Sequence, residues 1–180
     1  MNNKYQNFDT ATTLAAGAIF AALVAISTYL FVIPIPATSG YFNLGEAIIY
    51  VAALTLGPFV GTFAGAGAAI ADVMIPGGAV FAPGTFIIKA LEGFTVGFLN
   101  RKLMQKNLSL TVSAIISAVA GGLIMIVGYF TYEIGVLGFP VGIVLLEVPF
   151  NVVQMFVGLF VAVPIIHAIY RIFPQLKSQL

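Results

Sequence analysis

The chain has 180 residues, of which 61% are hydrophobic and only 7% charged, with a mean hydropathy of +1.10 and a formal net charge of +1. A soluble domain usually carries about 25% charged residues, so the composition excludes a water-soluble globule and points to a polytopic membrane protein. The absence of cysteine excludes a disulfide framework and any thiolate metal site.

A helix needs about 20 apolar residues to cross about 30 Å of hydrocarbon. The first span is expected over residues 11–33, stopping at Pro34 and Pro36. Its apolar run is too long for a cleavable signal, and others follow it. After the polar-aromatic loop ATSGYFN, an apolar block extends from Leu44 to Ile75. That block is too long for one upright span. Gly57-Pro58 divides it, because proline does not continue a helix interior cheaply, and two short helices are expected over 44–56 and 58–74. The Gly/Pro-rich loop PGGAVFAPG leads to a fourth span over 85–99, closed by NRKLMQK. A fifth is expected over 108–132 and a sixth over 141–172, with Pro164 kinking or breaking the sixth near its end. The fold expected is a single all-α integral membrane domain of six transmembrane helices.

The basic residues give the orientation. Lys4 precedes span one; Arg101, Lys102 and Lys106 lie between spans four and five; Arg171 and Lys177 close the chain. Six spans place all of them on one side, the cytoplasmic side by the positive-inside rule, with both termini there. The loops near 34–43, 75–84 and 134–140 hold no Lys or Arg. A five-span count would divide the basic loops between both faces.

Six ionisable residues remain inside this frame: Glu46, Asp72, Lys89, Glu92, Glu133 and Glu147. All fall in the outer half of the bundle. Ionisable groups within membranes face the bundle interior or a water-filled cavity and mark substrate paths, so the pattern implies a polar pocket open to the outside. Each also has a structural reading. Asn43 and Glu46 form N-x-x-E at a helix start, a capping-box pattern. Asp72 sits near a helix C-terminus, where the macrodipole disfavours an anion, and Lys89 across the short loop is the candidate partner. Lys89 and Glu92, three apart, are a second candidate pair. Glu133 reads as an interfacial residue in contact with water.

In span six, Glu147, Asn151, Gln154 and Gly158 are spaced by four, three and four, which puts them on one helical face. Ligand contact is the preferred reading for Glu147 and Asn151, with interhelical hydrogen bonding as the alternative. Tyr129 and Tyr132 either wall the pocket or form an interfacial belt. His167 reads as a surface residue.

Small residues recur at helical spacing. Gly17, Ala21 and Ala25, and Ala18 and Ala22, make small-xxx-small ridges on span one; Gly57, Gly61, Gly65 and Ala69 make one on span three; Gly93 and Gly97 lie on span four. Such ridges let helices approach closely. Span one has more of them than a single neighbour needs, which suits docking to another membrane subunit. There is no phosphate-binding loop, H-E-x-x-H or G-x-S-x-G motif, so no ATPase, zinc-protease or serine-hydrolase chemistry is expected, and no cofactor or metal.

The segments YFNLGEAIIYVAALTLGPFVGTFAGAGAAIADV and FAPGTFIIKALEGFTVGFLNRK resemble the substrate-binding S components of energy-coupling factor (ECF) transporters, in particular the riboflavin-type group. The likeness is strong over about 40–102 and extends through the six-span plan to nearly the whole chain. It implies a non-enzymatic, multi-pass protein of a prokaryotic plasma membrane that binds a water-soluble vitamin. It also implies partnership with a transmembrane coupling subunit and two ABC-type ATPases, and no nucleic-acid partner. The implied pocket opens outwards beneath the loop between spans one and two, with Tyr41, Asn43, Glu46, Asp72, Lys89, Glu92, Tyr129, Glu147 and Asn151 as its candidate residues. The implied coupling surface is the small-residue region of span one: Gly17, Ala18, Ala21, Ala22 and Ala25.

Substrate identity stays open at this level. Riboflavin comes first, with Tyr41, Phe42, Phe81 and Tyr129 available for stacking in place of the absent tryptophan. A pyridoxine-like or hydroxymethylpyrimidine ligand suits the same polar set, and an unpaired Lys89 would draw a carboxylated vitamin such as pantothenate. The alternatives outside this family are a stand-alone transporter coupled to protons through Asp72, Glu92 and Glu147, and a membrane scaffold without transport.

Overall fold

The computed structural model describes residues 9–35 and 40–177; Lys4, the predicted loop residues 36–39 and the side chain of Lys177 lie outside what is described. Helix α1 runs over Thr10–Leu30, capped by Asp9, whose carboxylate accepts a hydrogen bond from the Thr12 amide at 2.6 Å. That amide holds the Asp9 carboxyl below the ordinary carboxylate range. The helix ends three residues earlier than expected. Ile33 precedes Pro34, and a residue before proline is driven out of the helical region. The chain goes instead into a two-residue strand β1 (Ile33–Pro34), paired antiparallel with β2 (Tyr41–Phe42), with Ile33 opposite Phe42 and Pro34 opposite Tyr41. This hairpin is absent from the sequence reading, which has only a loop there.

Helices α2 (Gly45–Leu56) and α3 (Pro58–Met74) meet at Gly57, as predicted. Gly57 has φ +92°, a conformation that L side chains rarely adopt, and Pro58 occupies the first turn of α3, where its missing amide costs nothing. A short 3-10 turn at Gly78–Val80 leads into α4 (Ala82–Gln105), longer than the predicted 85–99 at both ends. Helix α5 spans Leu110–Gly135, with the Ser109 hydroxyl capping the Val112 amide at 3.3 Å.

The predicted sixth span divides. A single turn α6 (Val141–Val144) is followed by a turn through 145–147 and then by α7 (Val148–Ile172). Pro149 explains the division: inside a continuous helix its ring would clash with a carbonyl one turn back, but in the first turn of α7 it is tolerated. Pro164, the expected break, lies inside α7, and the helix continues past it to Ile172. A short α8 (Pro174–Lys177) follows.

Helix α2 is the hub. It packs against α1, α3, α4 and α7, and ten of its residues are buried. At 1.5 Å per residue it is about 18 Å long, too short to cross hydrocarbon alone. Three segments are long and apolar enough to cross: Thr10–Leu30, Leu110–Gly135 and Val141–Ile172; α2 and α3 are shorter apolar helices. Around the hub, α3 lies between α1 and α4, and α5 between α4 and α7. The outward faces carry exposed Ile19, Ile70, Ile87, Leu123 and Phe160, while the ionisable side chains of α2, α3 and mid-α4 point inward. A surface apolar on all sides with charge inside is the inversion expected of a bundle solvated by lipid.

Glycine makes the α3–α4 contact possible. A Cβ on Gly65 would strike the Lys89 carbonyl, and those on Gly61 and Gly93 would strike each other's backbone. On the opposite face of α3, Gly67 lies on the Ala21 backbone, and Phe63 fills the space over Gly17. Gly65→Ala is expected to cost about 1–3 kcal/mol by overpacking, seen as a lowered unfolding midpoint in detergent. Gly142→Ala, with nothing within 4 Å of the added methyl, is the matched control and should leave that midpoint unchanged.

Candidate functional site

Each helix that converges at the hairpin end contributes one narrow stripe of functional side chains. Ala68 and Asp72 are one turn apart on α3; Thr85, Lys89 and Glu92 lie along α4; Met125, Tyr129 and Glu133 along α5; Asn151 and Gln154 along α7 below Glu147. Side chains three or four apart share a helical face, so each stripe looks inward together. The stripes line a cavity of about 40 Å³, covered by the hairpin through Gly40 and Tyr41.

Seven of the predicted residues line the cavity: Tyr41, Asn43, Asp72, Lys89, Tyr129, Glu147 and Asn151. Glu46 and Glu92 do not. They lie beneath it and hold its floor. The Lys89 ammonium donates to Glu46 Oε2, to Glu92 Oε2 at 2.9 Å and to Met125 Sδ at 2.7 Å, with Lys89 3%, Glu46 1% and Glu92 0% exposed. An ammonium has three hydrogens, and all three are committed. Of the states left open for Lys89, the pair with Glu92 is the one formed, and the unpaired state that would draw a carboxylated ligand is not. The Tyr50 hydroxyl, 3.2 Å from both Glu92 Oε1 and the Ala118 carbonyl, and the Gln154 amide, 3.4 Å from Glu46 Oε2, brace the two carboxylates.

Two further readings change. Asn43 and Glu46 form no capping box: Asn43 Oδ1 accepts from the Gly45 amide at 2.9 Å, but Glu46 turns to Lys89, and the Asn43 amide is taken by Gln154 Oε1 at 3.0 Å. Helix packing wins because a buried ammonium needs the carboxylate more than a helix end does. Asp72 is not the direct partner of Lys89 either. Its Oδ1 accepts from the Tyr41 hydroxyl, which pins the hairpin over the cavity. Burial first, and then the adjacent Asp72, hold the Tyr41 phenol far above its ordinary range, so it remains a donor.

Of the two tyrosines on α5, Tyr129 faces the cavity and donates to Thr85 Oγ1 at 3.0 Å, while Tyr132 donates to the Val80 carbonyl at 2.8 Å and ties α5 to the 3-10 turn. Phe81 lines the cavity and Phe42 does not. Glu133, read as interfacial, is 1% exposed and lines the cavity within hydrogen-bond reach of Glu147. Thr28, Gly40, Ala68 and Thr85 line it without having been singled out. Thr85 stands one turn before Lys89, a signal the sequence held; Thr28 had none. His167 is exposed at the other end, with Nδ1 2.8 Å from the Val163 carbonyl. Among the described residues no group of three or more His, Asp or Glu side chains has the arrangement of a metal site.

On α1, Gly17 and Ala25 are buried and Ala21 is half-buried against α3, whereas Ala18 and Ala22 are exposed. The small-residue ridge thus has two faces. Gly17, Ala21 and Ala25 are occupied by internal packing, a correction to their expected place on a docking surface, and Ala18 and Ala22 look outward.

Lys89→Met would leave Glu46 and Glu92 buried without their cation, and is expected to cost about 3–5 kcal/mol, measured as lost thermal stability. Adding Glu46→Gln and Glu92→Gln to the same chain should recover most of it, since no uncompensated charge then remains.

Comparison with known proteins adds two findings. The family described as ECF-type riboflavin transporter, S component, matches residues 8–171. An uncharacterised protein from Pyrococcus woesei, encoded in the gap 3' region, is 39% identical over 108 residues, which cover 59% of this chain and 68% of that one.

Proposed function

The chain belongs to the ECF-type riboflavin transporter S-component family, and on that premise we propose that it captures a water-soluble vitamin, riboflavin first among candidates, in the cavity at the hairpin end. In this reading the chain crosses the membrane six times with both termini in the cytoplasm, and the hairpin end faces outward. A transmembrane coupling subunit and two ABC-type ATPases supply the energy, since the sequence holds no phosphate-binding loop of its own. The observation that carries the reading is the cavity: a polar chamber lined by carboxyl, amide and aromatic side chains, closed below by the Lys89–Glu46–Glu92 cluster, inside a bundle otherwise apolar on its outer faces. Three tyrosine and phenylalanine rings in its wall, Tyr41, Phe81 and Tyr129, suit a flat heteroaromatic ligand.

The coupling subunit is assigned to the outward face of α1 at Ala18 and Ala22, where small side chains let a partner helix approach closely. The double substitution Ala18→Leu and Ala22→Leu should leave vitamin binding to the purified chain intact and abolish uptake in cells. Loss of binding instead would make that face part of the internal packing. Uptake should also vanish when the partner ATPases carry an inactivating change in their phosphate-binding loop. Uptake that survives that change but collapses with the proton gradient would favour a stand-alone proton-coupled carrier.

A further inference from the structure

The cavity holds an unusual balance of charge for a vitamin site. Three carboxyl groups line it, on Asp72, Glu133 and Glu147. The cation in its wall, Lys89, is committed to Glu46, Glu92 and Met125. Among the described residues, the other cationic side chains are Arg101, Lys102, Lys106 and Arg171. Arg101 stands twelve residues beyond Lys89 on α4, about 18 Å along the helix, and Arg171 closes the far end of α7. No positive charge is therefore at hand to receive an anion.

The carboxyl groups are also short of donors. Asp72 is 2% and Glu133 1% exposed, and Asp72 Oδ2 and Glu133 Oε2 have no hydrogen-bond partner among the described residues. Glu133 lies within hydrogen-bond reach of Glu147. Buried acceptors left unpaired are costly, and a ligand that brings donors relieves that cost, whereas a ligand that brings another anion adds to it. The Asn151 carboxamide lines the same wall with no side-chain hydrogen bond among the described residues, and it has two N–H donors and a carbonyl to offer.

We propose that this cavity selects its vitamin by charge: it takes a non-anionic ring compound whose N–H or O–H groups donate to Asp72 and Glu133, and it excludes forms that bear a carboxylate or a phosphate ester. The proposal rests on the S-component reading and narrows it. Among the ligands the sequence leaves open, it keeps riboflavin and pyridoxine-like compounds and removes pantothenate.

The test is calorimetric titration of the purified full chain with three matched pairs, each differing by one anionic group: riboflavin and its 5'-phosphate, pyridoxine and its 5'-phosphate, and panthenol and pantothenate. The uncharged member of at least one pair should bind, with its anionic counterpart at least about 100-fold weaker, a difference typical of like charges brought together on binding. Asp72→Asn and Glu133→Gln, each checked by its unfolding midpoint, should narrow that ratio at least tenfold by removing charge while keeping shape. An anionic member that binds within threefold of its partner overturns the proposal. So does a ratio unchanged in whichever of the two variants folds, since the discrimination would then arise elsewhere. If none of the six compounds binds while the chain still copurifies with a coupling subunit, the ligand class proposed is wrong and the S-component reading stands. If neither binding nor copurification is found, both fail.

Discussion

The Lys89 ammonium, shared between Glu46 and Glu92 deep in the bundle, is the interaction on which the rest of the site depends. Taking a charge out of water costs several kcal/mol per ion even after relaxation, and the cost is offset only when geometry and additional hydrogen bonds satisfy every charged atom nearby. That requirement reaches outward from the cluster. It draws Glu46 of α2 away from the helix start where its sequence position suggests a cap. It recruits Tyr50, Met125 and Gln154 from three helices as supports. It also places the Lys89 backbone against Gly65, because α3 must approach α4 closely for α2 to sit beside both. Four helices are thus held in one register by a single cation and its partners.

Above this floor the cavity wall has a different character. The floor is built around a cation, whereas carboxyl groups line the wall, and Asp72 Oδ2 and Glu133 Oε2 have no hydrogen-bond partner among the described residues. The hairpin that covers the cavity is held by the Tyr41 hydroxyl on Asp72, and the Asn43 amide just after it donates to Gln154. A two-stranded hairpin is a less stable element than the helices beneath it, and elements that admit ligands are drawn from that end of the stability range. The contrast between a cation-centred floor and an acidic wall separates what the bundle needs to fold from what it offers to a ligand.

How much of this was legible in the sequence can be judged residue by residue. The break at Gly57-Pro58 and the inward stripe on α7 were readable, because proline stereochemistry and helical periodicity act locally. The restart of α7 at Pro149 obeys the same local rule that was applied to Pro164, yet the outcomes differ: the helix is interrupted before Pro149 and runs through Pro164. A proline near a helix start is accommodated by beginning there, and one in the middle is accommodated when neighbouring packing holds the helix on both sides, which is information outside the local window. The β1–β2 hairpin escaped for a similar reason. Two-residue strands carry almost no periodicity, and their pairing is decided by what lies on either side.

The amino-acid sequence by itself determined that the chain belongs in lipid, where its helices break, and which side chains are too polar to face hydrocarbon, because these follow from composition and from interactions within a few residues. Only the tertiary structure decided who pairs with whom. Asp72 and Glu92 were the partners the sequence offered Lys89; the structure keeps Glu92 and adds Glu46, which depends on α2 lying between α3, α4 and α7. Likewise the two small-residue faces of α1 are indistinguishable in sequence, and α3 takes Gly17 and Ala21 for itself, Ala25 is buried with them, and Ala18 and Ala22 stay exposed. The physical reason is the same in both cases: charge pairing and close packing act over a few ångströms in space, between residues that may be forty or more apart in the chain, so they come into being only when the helices are assembled.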